Sequence, residues 1–554
     1  MSNNSILEII QKSKGYDIAL FTTFNFEISF FERFIKNALF SNKIKKVSLF
    51  VDSQELNKAI NREEDTGGIG QQYVVNPIEM QGAFHPKLVL LLGKKKARLI
   101  VSSCNLTTPG YTINNEAFYT FDMEESSGNN KGLIISSIVF FEKLNALSFH
   151  ADDDLFKEVG GYKQLYSSFD SSNPDEPLLL HSVDVPIIEQ LKTEVHTAKR
   201  IDVAVPYYDK SCKALKELSG LYEAPTINLL LQNKRARIVT REIDFCSNIK
   251  KKPFAGFFDR SKNNNFYHGK VFRFTNDSDS YVMFGSANCT SSALLKSYRN
   301  GGNIEAVVLL NSSVEETNEY FDNFKPYEGK TPEYETLKVD FQMAGDYCFS
   351  YGVLDQELHF YIGCAKQHKI VSVIVEREEC QYSVSDGCID VVVDVETFSG
   401  RSTVKIVINY DGGCEELIGW YTNPFAVNST RSPASPRVDI DDVTLDPDSS
   451  KYIADQMLIS KALALNIDEY IDEVQTHRMM LREKNSITDD EEEYGDGIID
   501  YVIPVDNDYV YHSKLFKKLD SIKQHYYDRF FRFLYSKPTE KGKHNKEKPA
   551  NNSQ

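Results

Sequence analysis

The sequence predicts an α/β protein with two similar halves, each a mixed β-sheet flanked by helices, followed by a β-sandwich-like domain and helical C-terminal elements. Three observations carry this reading. A short polar pattern occurs twice at one fixed offset, the order strand, helix, strand precedes each copy, and beyond about residue 332 the chain changes to short alternating β runs.

In chain order, residues 17–24 and 47–52 read as strands around an amphipathic helix near 30–38, and residues 201–207, 211–221 and 227–232 repeat that order. The glycine run at 67–70 lacks the preceding strand and the spacing of a dinucleotide fingerprint, so it reads as a flexible loop. Residues 89–92 and 99–101 are two apolar strands joined by a turn at 93–96, and 271–274 with 281–284 form the second such hairpin. The next strands are 116–121 and 304–310, and residues 170–174 form a loop near the join of the halves. Runs at 358–362, 370–375, 389–395 and 403–408, separated by Gly, Asp and Ser turns, predict a small antiparallel sandwich without catalytic residues. Residues 432–436 are a linker into helices at 451–482 and 512–535. The acidic stretch 489–493 lacks the alternating ligands of an EF-hand, residues 526–535 are aromatic core packing, and 537–554 form a polar, disordered tail. The domain reading is 1–180 and 181–332 for the halves, 333–430 for the β-rich domain, 431–536 for the helical region and 537–554 for the tail.

The repeated pattern carries the chemistry. His85-Pro86-Lys87 is followed by Ser103-Cys104-Asn105, and His268-Gly269-Lys270 by Ser286-Ala287-Asn288, so His, Lys, Ser and Asn each recur 183 residues later. A lone His-x-Lys means little, since the tail supplies another at His544 and Lys546, and a single buried His is ordinarily a satisfied core residue. Adding an Asn at fixed distance, twice, is what points to a duplicated site. Side chains alternate along a strand, so His85 and Lys87 share one face, as do Ser103 and Asn105, and the hairpin brings them to one edge. Pairing the copies would gather two imidazoles, two ammoniums and two amides, a set suited to a phosphodiester. The lysines supply fixed positive charge, and the Asn amides donate to the non-bridging oxygens of a pentavalent phosphorus. One His can attack phosphorus while the other protonates the leaving oxygen and later activates water. Glu116 and Glu305 follow the two Asn residues, and each can accept from an imidazole N–H and fix its tautomer. Whether each Glu serves its own copy's His or the other one is open at this level. The arrangement calls for no metal and no cofactor.

These residues resemble the phospholipase D superfamily, whose members carry paired H-x-K motifs with a downstream Asn, often within G-S-x-N. Gly285-Ser286-Ala287-Asn288 matches that element, while the first copy reads Ser102-Ser103-Cys104-Asn105. The lipid-cleaving branch has an Asp five residues after the Lys, where this chain has Leu92 and Thr275. In lacking it the chain looks like the tyrosyl-DNA phosphodiesterase and bacterial phospholipase D-like nuclease branch, some of whose bacterial members are associated with defence or restriction loci. The resemblance covers about residues 15–330 and implies a phosphohistidine intermediate, with His85 as nucleophile and His268 as general acid and base.

Composition bounds the setting. At 554 residues, with 41% hydrophobic and 26% charged content, the chain has room for three or four domains. There is no N-terminal signal segment, and the longest apolar run, 133–141, is too short and too interrupted to span a bilayer. Nine cysteines with no C-x-x-C pair predict reduced thiols in a cytoplasm, with Cys104 and Cys289 in packing roles. The net charge of −17 counts against indiscriminate nucleic-acid binding. Residues 234–262, however, hold nine Lys or Arg against three acids with Phe254, Phe257 and Phe258 interleaved, as a single-strand groove requires. Lys234, Arg235, Arg237, Phe254 and Phe257 are therefore candidate nucleic-acid contacts, against the alternative of a solvated loop whose Phe residues plug the core. The run Lys94 to Lys96 lies at the far turn, roughly 20 Å from Lys87, and reads as solvated.

The expectation is a cytoplasmic, metal-independent phosphodiesterase acting on nucleic acid, DNA foremost, either processing ends or cutting strands in a defence system. One chain holds both half-sites, no membrane is involved, and the C-terminal regions are where a protein partner is expected. Two rival classes are a phospholipid hydrolase or transferase, which the missing Asp residues disfavour, and a noncatalytic DNA-binding subunit of a larger defence complex.

Overall fold

Leu88–Gly93 and Lys96–Ser102 are apolar at most positions, so both strands have to be covered on both faces, and they lie in the interior of a six-stranded sheet. The computed structural model describes residues 5–431, apart from 63–67, 149–151, 171–175, 224, 239–242, 244–245, 258–264, 278, 330–346, 355–357, 365–367, 386–387 and 394–402. The linker, the helices expected at 451–482 and 512–535, the acidic loop and the tail lie outside the described residues, as do Gly67 and Phe258.

The first sheet comprises β1 (Ile18–Thr23), β2 (Lys46–Asp52), β3 (Val74–Ile78), β4 (Leu88–Gly93), β5 (Lys96–Ser102) and β6 (Phe118–Glu124), in the order β3-β2-β1-β4-β5-β6. The first three pair in parallel, while β4, β5 and β6 form an antiparallel meander joined to β1. The second sheet holds β7 (Leu178–His181), β8 (Arg200–Ala204), β9 (Thr226–Gln232), β10 (Ile249–Phe257), β11 (Val271–Thr275), β12 (Asp279–Gly285), β13 (Ala306–Ser313) and β14 (Phe324–Pro326). Its order, β14-β10-β9-β8-β11-β12-β13-β7, repeats that of the first sheet from β10 to β13 and adds one strand at each edge. The edge strand β7 precedes and crosses the expected boundary at 180, so the second sheet begins there.

One hydrophobic cluster is common to both sheets: Leu90 and Leu99 of the first lie in it with Val271, Phe284 and Val308 of the second. The helix Lys131–Leu147 belongs to this cluster through Leu133, Ile138, Phe140, Phe141 and Leu144, each 1% exposed or less. The apolar run at 133–141 is thus a core helix, and among the described residues no helix is long and apolar enough to cross a membrane. The opposite faces pack separately, the first sheet against Ile10, Phe31 and Leu56 of its helices, the second against Leu191, Leu215 and Leu218. Cys104 and Cys289 are buried in these outer clusters, as their packing reading expects, and burial pushes both thiols up.

The β-rich domain corrects the sandwich expectation. Tyr347–Leu354 (β15), Leu358–Cys364 (β16), Ile370–Val375 (β17), Glu378–Ser385 (β18), Cys388–Val393 (β19), Thr403–Tyr410 (β20) and Gly413–Thr422 (β21) close into a seven-stranded barrel. Closure comes from one parallel pair, β15 on β21, which a reading based on antiparallel hairpins alone does not produce. The barrel is docked on the first half. Trp420 and Tyr351 enter the cluster that holds Phe31 and Leu56, and Arg431 forms a buried bidentate pair with Asp152. Gly70 explains the glycine run, which is a docking loop and not a free one. With φ at +69° and Tyr421 O only 2.1 Å from where a Cβ would stand, no other residue fits, and Asn423 N donates to Gly70 O at 2.7 Å.

Candidate active site

Each His-x-Lys stands immediately ahead of a central strand, β4 or β11, and each Ser-x-Asn immediately after its partner, β5 or β12. The hairpin register then closes the set: Ser102 N donates to Lys87 O at 3.0 Å, and Gly285 N to Lys270 O at 3.3 Å. All four motif positions of both copies therefore meet where the strand ends converge.

The two halves are joined across this edge by backbone. Phe84 bridges Ile304, with His85 N donating to Ile304 O at 2.9 Å, and Tyr267 bridges Asn115, with His268 N donating to Asn115 O at 2.8 Å. The segment ahead of each His thus lies beside the segment ahead of the other half's Glu, and the side chains follow. His85 Nδ1 lies 2.9 Å from Glu305 Oε2, and His268 Nδ1 lies 2.8 Å from Glu116 Oε1. Each carboxylate serves the other half's imidazole, which answers the question that spacing leaves open. It also moves both Glu residues off the strands predicted at 116–121 and 304–310. They sit just before β6 and β13 because the preceding peptides are committed to the crossing bridges.

Each Glu is oriented by its own half. Ser103 Oγ donates to Glu116 and accepts from Ala117 N at 2.9 Å, while Asn114 Nδ2 donates to Glu116 Oε1 at 3.2 Å. Ser286, Ala306 N and Asn303 Nδ2 repeat this around Glu305. With the carboxylates accepting at Nδ1, each neutral imidazole keeps its proton there and presents an unprotonated Nε2.

Electrostatics holds the imidazoles neutral. Burial lowers His85 to about 4, and burial with the charge of Lys270 lowers His268. Burial pushes both carboxylates up, but their imidazole partners, the lysines and the Ser hydroxyls outweigh it, so Glu116 and Glu305 stay ionised. The lysines are the strained members. Lys87 is 2% exposed and Lys270 0%, and burial pushes Lys270 down to about 8 and Lys87 well below its usual range. Lys87 Nζ donates to His85 O at 2.6 Å, whereas Lys270 Nζ reaches both His268 O at 2.7 Å and His268 Nε2 at 3.0 Å. Asn288 Oδ1 is buried with no hydrogen-bond partner among the described residues, and Asn105 Oδ1 accepts only a long bond, 3.5 Å, from Asn25 N.

Three pairs of site residues escape the motif reading. Phe24 and Tyr207, 183 residues apart like the motif, set their rings against His85 and His268 at 5.3 and 6.3 Å. Asn114 and Asn303 precede the two Glu residues in Asn-x-Glu, a repeat hidden because its offset is 189, six residues longer. Asp52 and Gln232 end β2 and β9 and accept the backbone N–H just before each His, from Phe84 at 2.9 Å and from Tyr267 at 2.8 Å.

The basic segment divides. Phe254 and Phe257 are 2% and 6% exposed and pack with Tyr267 and Phe324, so these two candidates are core residues, because β10 turns them inward beneath the site. Lys234 is exposed at a left-handed turn, φ 59°. Arg235 and Arg237 line a cleft of about 310 Å³ with Tyr207 and Phe266. Lys94 and Lys95 form the exposed far turn, and Lys96 lies over the Tyr16 ring at 4.9 Å.

No family model matches the chain, and no curated protein matches its sequence. Among solved structures it is similar to yeast tyrosyl-DNA phosphodiesterase, with 12% identity over 55% of this chain and 85% of that one and a TM-score of 0.42. Polyphosphate kinase from Porphyromonas gingivalis matches at 13% identity over 60% of this chain and 50% of that one, TM-score 0.33. NucT from Helicobacter pylori matches at 14% identity over 27% of this chain and its own full length, TM-score 0.18.

Proposed function

We propose that the chain is a phospholipase D-like phosphodiesterase acting on nucleic acid through a covalent phosphohistidine, without a metal. The observation that carries this reading is the crossed pair of His–Glu hydrogen bonds, each leaving an Nε2 lone pair beside a buried ammonium. In the first step His85 Nε2 attacks phosphorus, the P–N bond forms as the P–O bond to the leaving group breaks, and His268 gives that oxygen its proton. In the second step His268 takes a proton from water, whose oxygen bonds to phosphorus as the P–N bond breaks. Lys87 and Lys270, with the amides of Asn105 and Asn288, stabilise the charge that builds on the non-bridging oxygens. In the free site two ammoniums balance two carboxylates, so an incoming phosphodiester adds negative charge, which favours the imidazolium at His268 that the first step needs. His85 is the better nucleophile because Lys270 already occupies His268 Nε2. Nucleic acid is favoured over lipid by the guanidiniums and aromatic faces beside His268. A role in defence and the recruitment of a partner through the C-terminal regions belong to the same proposal.

The test uses the full chain, a single-stranded oligonucleotide and bis(p-nitrophenyl) phosphate, in excess EDTA. Wild type turns over both. His85→Asn turns over neither and forms no adduct, whereas His268→Asn reacts with the activated diester and accumulates a phosphoryl adduct by intact mass. Adducts on His85→Asn alone would reverse the assignment, and full activity in both variants, or activity restored only by magnesium, would end the phosphohistidine reading.

A further inference from the structure

The half-sites share a frame but not their flanks. Tyr207 and Phe266 pack on His268 with ring centroids at 6.3 and 5.7 Å, and 6.3 Å from each other. Beside them, Arg235 and Arg237 are half-buried and have no acidic partner among the described residues. All four stand on backbone that also holds the site: Arg237 N donates to Pro206 O, Tyr208 N to Arg237 O, and Phe266 O accepts from Asn115 N at 2.8 Å. Subtracting 183 from each position gives the His85 side, where Phe24 keeps the aromatic ring but Ala83 replaces Phe266, and Asp52 and Gln54 stand for the two arginines. There Asp52 is 5% exposed and spent on backbone N–H groups, and the helix Ser53–Arg62 starts at once, so no equivalent basic cleft exists on that side.

We infer that this cleft is the leaving-group subsite, binding the nucleotide beyond the scissile bond, its base against Tyr207 and Phe266 and its next phosphate on Arg235 and Arg237. The inference rests on the phosphodiesterase reading and adds a direction to it. In an in-line displacement the leaving group departs opposite the nucleophile, on the side of the general acid, and the cleft adjoins His268 and not His85. Aromatic faces accept any base, and two guanidiniums supply the local attraction that a chain of net charge −17 lacks elsewhere.

Two substrates separate the sides. One carries a trinucleotide as leaving group on a methyl phosphodiester, and the other retains the trinucleotide on phosphorus and releases p-nitrophenol. The readout is the ratio of kcat/KM for the first over the second. Arg235→Ala/Arg237→Ala and Tyr207→Leu should each lower that ratio at least about tenfold, with Arg235→Lys/Arg237→Lys in between. Lys95→Ala at the far turn should leave it unchanged. Thermal unfolding of each variant alongside checks that the fold is kept. An unchanged ratio, or one that rises, would overturn the inference while leaving the phosphodiesterase reading intact. Wild type that turns over neither substrate would remove that reading and the inference with it.

Discussion

Lys270 offers the sharpest quantitative test, because its ammonium is fully buried and is pushed down to about 8 from an ordinary value of 10.5. If the charge on this group stabilises the transition state, kcat/KM, which reports the free enzyme, falls above about pH 8. An ammonium with that value is about 9% protonated at pH 9 and about 1% at pH 10, so roughly a hundredfold loss accumulates by pH 10. The limb in kcat lies higher, because a bound phosphodiester favours the ammonium. Lys87 titrates as a partner, since the charge of Lys270 helps to push it down, so the apparent value belongs to the pair. Lys270→Met should cost about a hundred- to a thousandfold in kcat/KM and move the remaining alkaline limb upward by relieving Lys87. Stability moves with the opposite sense. The unfolded chain binds more protons than the folded one between pH 8 and 10.5, so raising pH through that window stabilises wild type relative to Lys270→Met by up to about 3 kcal/mol. Stopped assays from pH 6 to 10 with a non-titrating diester, and urea unfolding of both proteins at pH 7 and 10, measure the two arms. A flat wild-type profile to pH 10, or a limb unmoved in Lys270→Met, refutes the reasoning.

The crossed geometry makes Glu116→Gln resemble the His268 variant and Glu305→Gln the His85 variant, although each Glu shares its half with the other His; adduct formation under the activated diester sorts them, and the reverse pattern breaks the crossing argument. Asp52 uses Oδ1 to cap the helix Ser53–Arg62 and Oδ2 to hold Phe84 N–H, so Asp52→Asn leaves one of these without an acceptor. Burial raises Asp52 to about 6 from 3.8, so folding favours its protonated form, a contribution present below pH 3.8 and lost as pH rises through 6. The unfolding free energy of wild type minus that of Asp52→Asn should therefore grow by up to about 3 kcal/mol from pH 7 to 4, and a difference that shrinks on acidification contradicts it.

Legibility followed the range of the interaction. The two hairpins could be read directly because their strands are apolar on both faces and their polar motifs recur at 183 residues. The parallel pairing of β15 with β21 and the docking at Gly70 could not, since both join segments distant in sequence through backbone that carries no side-chain signature. Phe254 and Phe257 read equally as nucleobase platforms or as core, and only the direction in which β10 faces decides for core. Phe24 and Tyr207 were within reach, since extending the 183-residue comparison upstream pairs them. Asn114 and Asn303 needed one step more, because the six extra residues after Asn288 shift the register.

The crossing of the carboxylates bears on why both half-sites lie in one chain. A half taken alone holds His, Lys and Asn but not the Glu that fixes its imidazole, so neither copy has a complete dyad without the other. Two identical halves would meet that requirement by dimerising, at the cost of a site with no direction. In one chain the copies are free to differ, and they differ at the positions that follow β2 and β9. Asp52 runs straight into a helix and spends both oxygens on backbone, whereas Gln232 holds the same N–H next to His268 with one amide and leads into the turn that carries Arg235 and Arg237. The polarity of the site is thus set outside the duplicated motif, in the segment where the copies share position but not sequence.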